Sequence, residues 1–580
     1  YLYRGKRLPE NETIDEIYIE TPYQLNGDLV YSFGADNQSF KTAFTGDVDV
    51  DQDSSERFIV QAKGKQLAAG RRLEGWLDIS GSESGLTVIV KNLWQQFPKS
   101  WTLSKDRGTI ITYLWPKKAG ILDFQTTELA KGDDSVARGS AFGLAKTHEM
   151  AFYFHPKALD KERGWSIVKF LGTSLLLSAE PPWIADTAAM GKVGAYEEGG
   201  VLHPAELAIE AMFDWAARQI EDNKWYGMID FGDVLSDGRQ KDGQSVWVRD
   251  GRHGWMNNEA MGLHSGALAQ YLRTGNYKYF EFGENAARHI MDVDTVHYNT
   301  VANDPRLRHV IPDDYSQVGS QHRHNVEHWG DRNEETSHTN LHGILLYYFM
   351  TGYERAFDVA KEIGDFFLQG RVTYFQHPDI CPQRNIANVL WGTIEMYEAT
   401  GDQRYKKAAD KWADILYKGQ LSDGSWLENY NPVAQRWEKE PKILFTAQYT
   451  LPAVVAYHQV TGNKAIAESI VKATKYFIEH KPYNPFFEGL LYSYYLTGDG
   501  IFLEAAQERL DYFLQHQRRD NNPITNGMFF QKASYLRPIE FLYQWPFVFK
   551  ALNEKMNKKK PIYAAEVTRK KPEDNDGGIR

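Results

Sequence analysis

Leu345-Leu346-Tyr347-Tyr348-Phe349-Met350-Thr351-Gly352, followed by Arg355-Ala356-Phe357-Asp358-Val359-Ala360-Lys361-Glu362-Ile363-Gly364, reads as two helices meeting at a short joint. Glycine just past the last apolar residue is a helix stop, because it enters the left-handed backbone region without a Cβ penalty. The joint recurs at Thr274-Gly275, Thr400-Gly401, Thr461-Gly462 and Thr497-Gly498, each between an aromatic-rich apolar segment and a second helical one. With an opening helix around Glu206–Arg218, this predicts an array of helical hairpins. Successive joints are 77, 49, 61 and 36 residues apart, too uneven for an open solenoid of uniform repeats. A closed (α/α) toroid, with its inter-hairpin loops gathered on one face, fits better. The longest interval puts the largest functional loop within residues 276–340.

Before residue 190 the texture is different. Short runs such as Phe58-Ile59-Val60, Leu86-Thr87-Val88-Ile89-Val90 and Met150-Ala151-Phe152-Tyr153-Phe154 alternate with Gly, Ser, Asp and Pro turns. In Leu73–Ile79 the apolar Leu73, Leu77 and Ile79 fall on one face by the period-2 rule, and many such short strands predict a β-sandwich. The expected organisation is multidomain β + α. A β-sandwich occupies 1–190, an (α/α) toroid 191–553, and a charged tail 554–580.

Composition narrows the function. Among 580 residues, 66 Lys plus Arg against 77 Asp plus Glu give a net charge of −11, the wrong sign for a general nucleic-acid binder. An anionic partner must therefore be drawn by a local basic cleft. The single cysteine, Cys381, excludes an internal disulfide framework and a cysteine-cluster metal site. No apolar run approaches the ~20 residues that span a bilayer. The chain starts at Tyr1, which reads as a processed or trimmed chain. Aromatic residues, at 14%, suit the stacking faces of sugars as well as a core.

Ten of the 17 histidines fall between His253 and His342, with Arg239, Arg249, Arg252, Arg306, Arg308, Arg323 and Arg332 in the same region. Arginine forks onto carboxylates and histidine titrates near neutrality, so the mixture suits carboxylate recognition with proton transfer. A metal competes for the same residues. His338 and His342 stand at i and i+4 on a helix face, and His322, His324 or His328 could add a third ligand. No Glu follows His338, so the metalloprotease pattern is absent. The expectation is no tightly bound metal and no cofactor, with a divalent ion at His338/His342 as the alternative. Tyr226, Trp255, Asn257 and Asn258 read either as a sugar-binding rim or as packing and turn residues. Arg384, at the start of a later inner helix, could reach the same bowl.

Arg72–Ser80, Gly85–Val90, Trp94–Ser100, Leu114-Trp115-Pro116 and Gly143–His155 resemble the central β-sandwich of exo-acting rhamnogalacturonan lyases and the YetA-like proteins. Leu345–Gly352 and Tyr492–Asp499 resemble their C-terminal α/α toroid. The resemblance spans roughly residues 50–510, and it implies a polysaccharide lyase acting on a uronic-acid-containing glycan of rhamnogalacturonan or ulvan type. Members of that family usually carry a β-barrel before the sandwich, and the stretch ahead of the sandwich here is expected to be too short to contain one, either because the chain starts late or because it is a relative with another substrate. An extracellular or periplasmic setting follows from such a substrate.

That chemistry removes the C5 proton of a uronate and expels the 4-linked oxygen. It needs a cation or donor on the carboxylate, a base and an acid. Arg252 and Arg332, helped by Asn257 or Asn258, are the candidate stabilisers. His264, His324 and His338 are candidate bases or acids, and Tyr315 is the candidate phenolic acid. A glycoside hydrolase of the uronyl hydrolase type would instead use a carboxylate, with Asp230, Asp233, Glu259, Glu327, Asp331, Glu334 and Glu335 available. A non-catalytic glycan binder would have little use for clustered histidine. The active site is expected in the toroid bowl, walled by 226–260 and 306–342.

Overall fold

The computed structural model describes residues 13–124, 143–156, 161–172, 176–189, 193–235, 238–241, 244–247, 255, 263–298, 318–321, 328, 336, 339–370, 372, 379–441, 449–482, 486–522, 526–527 and 549–553. These form two compact units. One gathers the described residues within 1–126, 145–177 and 219–233, the other those within 127–144, 178–218 and 234–580.

The first unit is a β-sandwich, as the period-2 runs predict. Its strands are β1 Thr13–Ile14, β2 Ile17–Pro22, β3 Val30–Ala35, β4 Gln38–Ala43, β5 Val48–Ser54, β6 Arg57–Ala62, β7 Lys65–Gly70, β8 Leu73–Ser80, β9 Ser84–Val90, β10 Lys99–Ser104, β11 Thr109–Trp115, β12 Leu122–Asp123 and β13 Met150–Pro156. The large sheets are antiparallel, in the orders β2-β11-β10-β5-β6-β7 and β13-β9-β8-β3-β4. Between β3 and β4 both turn residues, Asp36 and Asn37, have positive φ, as a two-residue hairpin turn matched to strand twist demands. Leu73, Leu77 and Ile79 join Val50, Val88, Trp101 and Leu103 in the core between the sheets.

The run Leu86–Val90 is buried on both faces instead of alternating. Helix α1, Lys161–Gly172, explains it: Ile167 and Leu171 pack on Trp76 and Ile89, on the side away from the main core.

The second unit carries the hairpins. After α2, Pro181–Thr187, and the opening helix α3, His203–Asn223, come five inner–outer pairs. They are α4 Leu263–Thr274 with α5 Tyr277–His289, α6 His342–Thr351 with α7 Glu354–Leu368, and α8 Gln383–Thr400 with α9 Gln403–Gly419. The last two are α10 Leu451–Thr461 with α11 Lys464–His480, and α12 Phe487–Thr497 with α13 Ile501–His516.

Every Thr-Gly joint is built alike. The glycine has φ between 63° and 72°, and its N–H returns to the carbonyl four residues back at 2.7–2.8 Å. The threonine hydroxyl donates to its own i−4 carbonyl at 2.6–2.8 Å and accepts the amide two residues on at 3.1–3.3 Å. Threonine thus ties the end of one helix to the start of the next, while glycine makes the bend.

The ring closes at the last pair. Gln517, just past α13, donates to the Ala208 carbonyl of α3 at 2.8 Å, and Arg218 donates to the Asn526 carbonyl at 3.1 Å. At the first joint, Arg273 forks onto Glu206 of α3, donates to Gln270 at 2.8 Å, and stacks over Phe549 at 4.4 Å. Small sheets decorate the helices: a hairpin of β14 Gly238–Lys241 and β15 Gln244–Trp247, and a three-stranded sheet of β16 Cys381–Pro382, β17 Leu427–Asn431 and β18 Arg436–Pro441. Among the described residues no helix is long and apolar enough to cross a membrane.

Candidate active site

The longest connection, between α5 and α6, is fixed at both ends. Past His289 the chain continues as a π-helical turn, Ile290–Asp294, and Thr295 closes it by donating its N–H (3.1 Å) and its hydroxyl (2.8 Å) to the Ile290 carbonyl. Val296 then donates its N–H to the Ser320 carbonyl at 2.9 Å and accepts the Gly319 N–H at 2.8 Å. Gly319 has φ +88°, and a Cβ there would come within 2.0 Å of the Glu362 carbonyl, so only glycine lets the chain pass over α7. Gln321 clamps the base of the loop: its amide donates to the Asn340 carbonyl at 2.9 Å and accepts the Asn340 N–H at 3.0 Å. Residues 321 and 340 are therefore held side by side.

Three residues between them are described, and all are buried: Thr339, whose hydroxyl accepts the Gln321 N–H at 3.1 Å, His328 and Thr336. His328 stacks on Trp255 at 4.8 Å and 20° and meets His289 at 4.7 Å. Thr336 is held by α8, whose Asn388 donates to its carbonyl at 2.9 Å. Nearby on α8, Asn385 reaches the Val372 carbonyl at 2.8 Å, and the Arg384 guanidinium lies over the Tyr449 ring at 5.5 Å.

Of the residues proposed from sequence, Arg252, Asn257, Asn258, Tyr315, His324, Arg332 and His338 lie outside the described residues. Trp255 is 2% exposed, its ring taken up by His328. His264 is fully buried, and neither ring nitrogen has a hydrogen-bond partner among the described residues. Burial, then repulsion from His342, pushes its imidazole down to about 3, so it is neutral and a poor proton acceptor at neutral pH. Tyr226 belongs to the sandwich unit. There its hydroxyl donates to Glu221 at 2.8 Å, its ring meets Trp94 edge-on at 4.9 Å, and burial followed by Glu221 raises its phenol.

A second group of ionisable residues stands where the inner helices converge, around a cavity of about 360 Å³. At four of the five joints the residue ten before the glycine, Ser265, His342, Trp391 or Glu488, and at four the residue six before it, Ala269, Leu346, Glu395 or Ala456, face the cavity; Pro452 and Tyr492 are the exceptions. These eight line the cavity, so at most joints the glycine sets the level of the side chains that reach it. His342 Nδ1 bonds Glu395, which also accepts the Trp391 indole N–H at 2.8 Å. Burial pulls His342 down, but Glu395 and then Glu488 overcome it and the net shift is upward. Burial raises the Glu488 carboxyl to about 7, against the pull of His342 and with added repulsion from Glu395. A carboxylic acid about half protonated near neutrality beside a hydrogen-bonded His–Glu pair is an acid–base arrangement. Sequence reasoning paired His342 with His338 and missed both glutamates; counting back from the joints would have put His342 and Glu488 on one level.

Residues 174–373 match the family described as PcRGLX-like protein C-terminal alpha/alpha toroid domain, and residues 316–493 match Glycosyl Hydrolase Family 88. The protein YetA of Bacillus subtilis (strain 168) is 24% identical over 369 residues, 59% of this chain. The chain spans 40% of the length of that relative. Among solved structures, the GH76 alpha-mannanase BT2949 of Bacteroides thetaiotaomicron is 12% identical with a TM-score of 0.42, covering 65% of this chain and all of its own. The unsaturated glucuronyl hydrolase of Bacillus sp. GL1 is 12% identical with a TM-score of 0.40, covering 61% of this chain and 97% of its own. A sandwich, Thr-Gly hairpins closed into a ring and these matches agree on the fold: the helical half is similar to the PcRGLX-like C-terminal α/α toroid domain, and the chain is similar to YetA.

Proposed function

We propose that the protein is a polysaccharide lyase that cleaves a uronic-acid-containing polysaccharide of rhamnogalacturonan or ulvan type by β-elimination. The observation that carries this reading is the histidine-rich loop between α5 and α6, clamped at its base by Gln321 and Asn340 and braced by α8. Elimination needs a group to take the C5 proton, a donor for the leaving oxygen and a cation facing the carboxylate. In this reading Arg332 and Arg252, with Asn257 or Asn258, face the carboxylate, and Arg384 contributes positive charge from α8. His324, His338 and Tyr315 handle the protons, because burial leaves His264 too weak a base. The electron pair of the C5–H bond forms the C4–C5 double bond as the 4-linked oxygen leaves with a proton, and no water is consumed. A polymeric plant or algal substrate supports an extracellular or periplasmic setting.

Glu488 and Glu395 favour a second reading, a hydrolase of the uronyl type, because they supply a protonated carboxyl and a carboxylate at the toroid axis. The match to Glycosyl Hydrolase Family 88 supports it too.

One experiment separates the two. Rhamnogalacturonan, ulvan and glucuronan are digested in ¹⁸O-labelled water, and the products are followed by ultraviolet absorbance and mass spectrometry. The lyase reading expects an absorbing, unsaturated end with no label taken up. Labelled, saturated products that vanish in Glu488→Gln would establish the hydrolase instead.

A further inference from the structure

We propose that His289, Asp294 and His328 form a zinc site that fastens the α5–α6 loop to the end of α5. The inference is independent of which sugar reaction the toroid performs. The three side chains are 1%, 4% and 3% exposed, and one donor atom from each lies within 4.8 Å of the others. His289 Nε2 and Asp294 Oδ1 are already 3.4 Å apart. Zinc bonds of about 2.0–2.2 Å at tetrahedral angles put neighbouring donors about 3.3 Å apart, so this edge is preformed. The His328 donor lies within 4.8 Å of both, so sharing the ion requires it to close in by up to about 1.5 Å.

Local structure explains how the donors meet. In an α-helix, residues five apart point to different sides. The π-helical turn Ile290–Asp294 adds one residue to the turn and brings Asp294 back beneath His289. His328 arrives from the far side of the loop, and Trp255 flat against its ring fixes the plane of the imidazole. The hydrogen bonds of Thr295, Gln321 and Asn340 hold the surrounding backbone.

The donor set selects the ion. Two imidazoles and one carboxylate suit zinc, whereas calcium and magnesium seek six or more oxygens. Three protein donors leave a further coordination position for water or another oxygen. The site differs from the His338/His342 pair proposed from sequence, since His342 Nδ1 is engaged by Glu395.

The test uses the full chain without a histidine tag, stripped with chelator, incubated with excess zinc chloride and desalted. Elemental analysis is expected to find one zinc per chain. Cobalt chloride in place of zinc should give the visible absorption of a four-coordinate ion bound by nitrogen and oxygen. Asp294→Asn and His328→Gln, checked for folding by circular dichroism, should each weaken zinc binding by more than the ~10–100-fold that loss of an outer-sphere partner costs. No zinc retained by the wild-type chain would overturn the proposal whatever the variants do. So would zinc kept by both variants but lost from His338→Ala/His342→Ala.

Discussion

The two ends of the inner helices obey different rules. At their C-terminal ends the five Thr-Gly joints repeat one set of hydrogen bonds, and Asn276, Asp402 and Asn463 cap the outer helices that follow by accepting amides from Lys278, Arg404 and Ala465. At the four N-terminal ends that are described, the residue before the helix differs each time. Leu341, Pro382, Thr450 and Phe486 precede α6, α8, α10 and α12, none gives a side-chain cap, and Phe486 has a left-handed φ of 41°. Uniform joints hold the hairpins at fixed levels, and that leaves the other face free to differ from hairpin to hairpin. Stability should therefore depend most on the joint face and turnover on the loop face.

The strongest way to break this division is at the first joint. Glu206→Ala leaves the Arg273 guanidinium buried without its carboxylate, a defect that costs about 3–5 kcal/mol. Urea unfolding should show that loss, with turnover per folded molecule unchanged; a variant equally stable but inactive would end the comparison. The opposite pattern is expected of Arg332→Ala and His338→Ala. Each should lower turnover at least ~10²-fold, the scale for a transition-state stabiliser or proton-transfer group, while the melting temperature moves little. Near-native turnover in both would move the search to Glu395 and Glu488. The smallest effect should come from Gly401→Ala. A Cβ there meets no atom within 4 Å, so the cost is the left-handed backbone alone, about 1–2 kcal/mol by denaturant titration. A larger loss would mean that the joint carries more than a bend.

The joint face was legible in sequence because its signals are local. Glycine and threonine side by side, an apolar helix before and a polar cap after, need no knowledge of the rest of the chain. The sandwich was legible for the same reason, through alternation in Leu73–Ile79. Leu86–Val90 departs from alternation because α1, more than 70 residues later, covers its outer face. The candidate site was legible only as a region. Histidine density pointed to the α5–α6 loop, yet His289 and Asp294 stand five apart, a spacing that brings side chains together only when the helix opens into a π turn. His342, Glu395 and Glu488 come from three different hairpins and meet because the ring closes. Such encounters depend on tertiary geometry, which residue spacing does not encode.

The seam where the ring closes has a consequence for how the molecule comes together. Gln517 and Ala208 are 309 positions apart, whereas each hairpin joins neighbours a few dozen residues apart. Local pairs meet early at little entropic cost, and a contact across 309 residues waits until the intervening hairpins have shortened the distance. The seam is thus the clasp of a bracelet, fastened last. Pulled by its ends or cut in a hairpin, the bracelet should open there first, and the axial cavity, which exists only while the clasp is shut, would be lost at that moment.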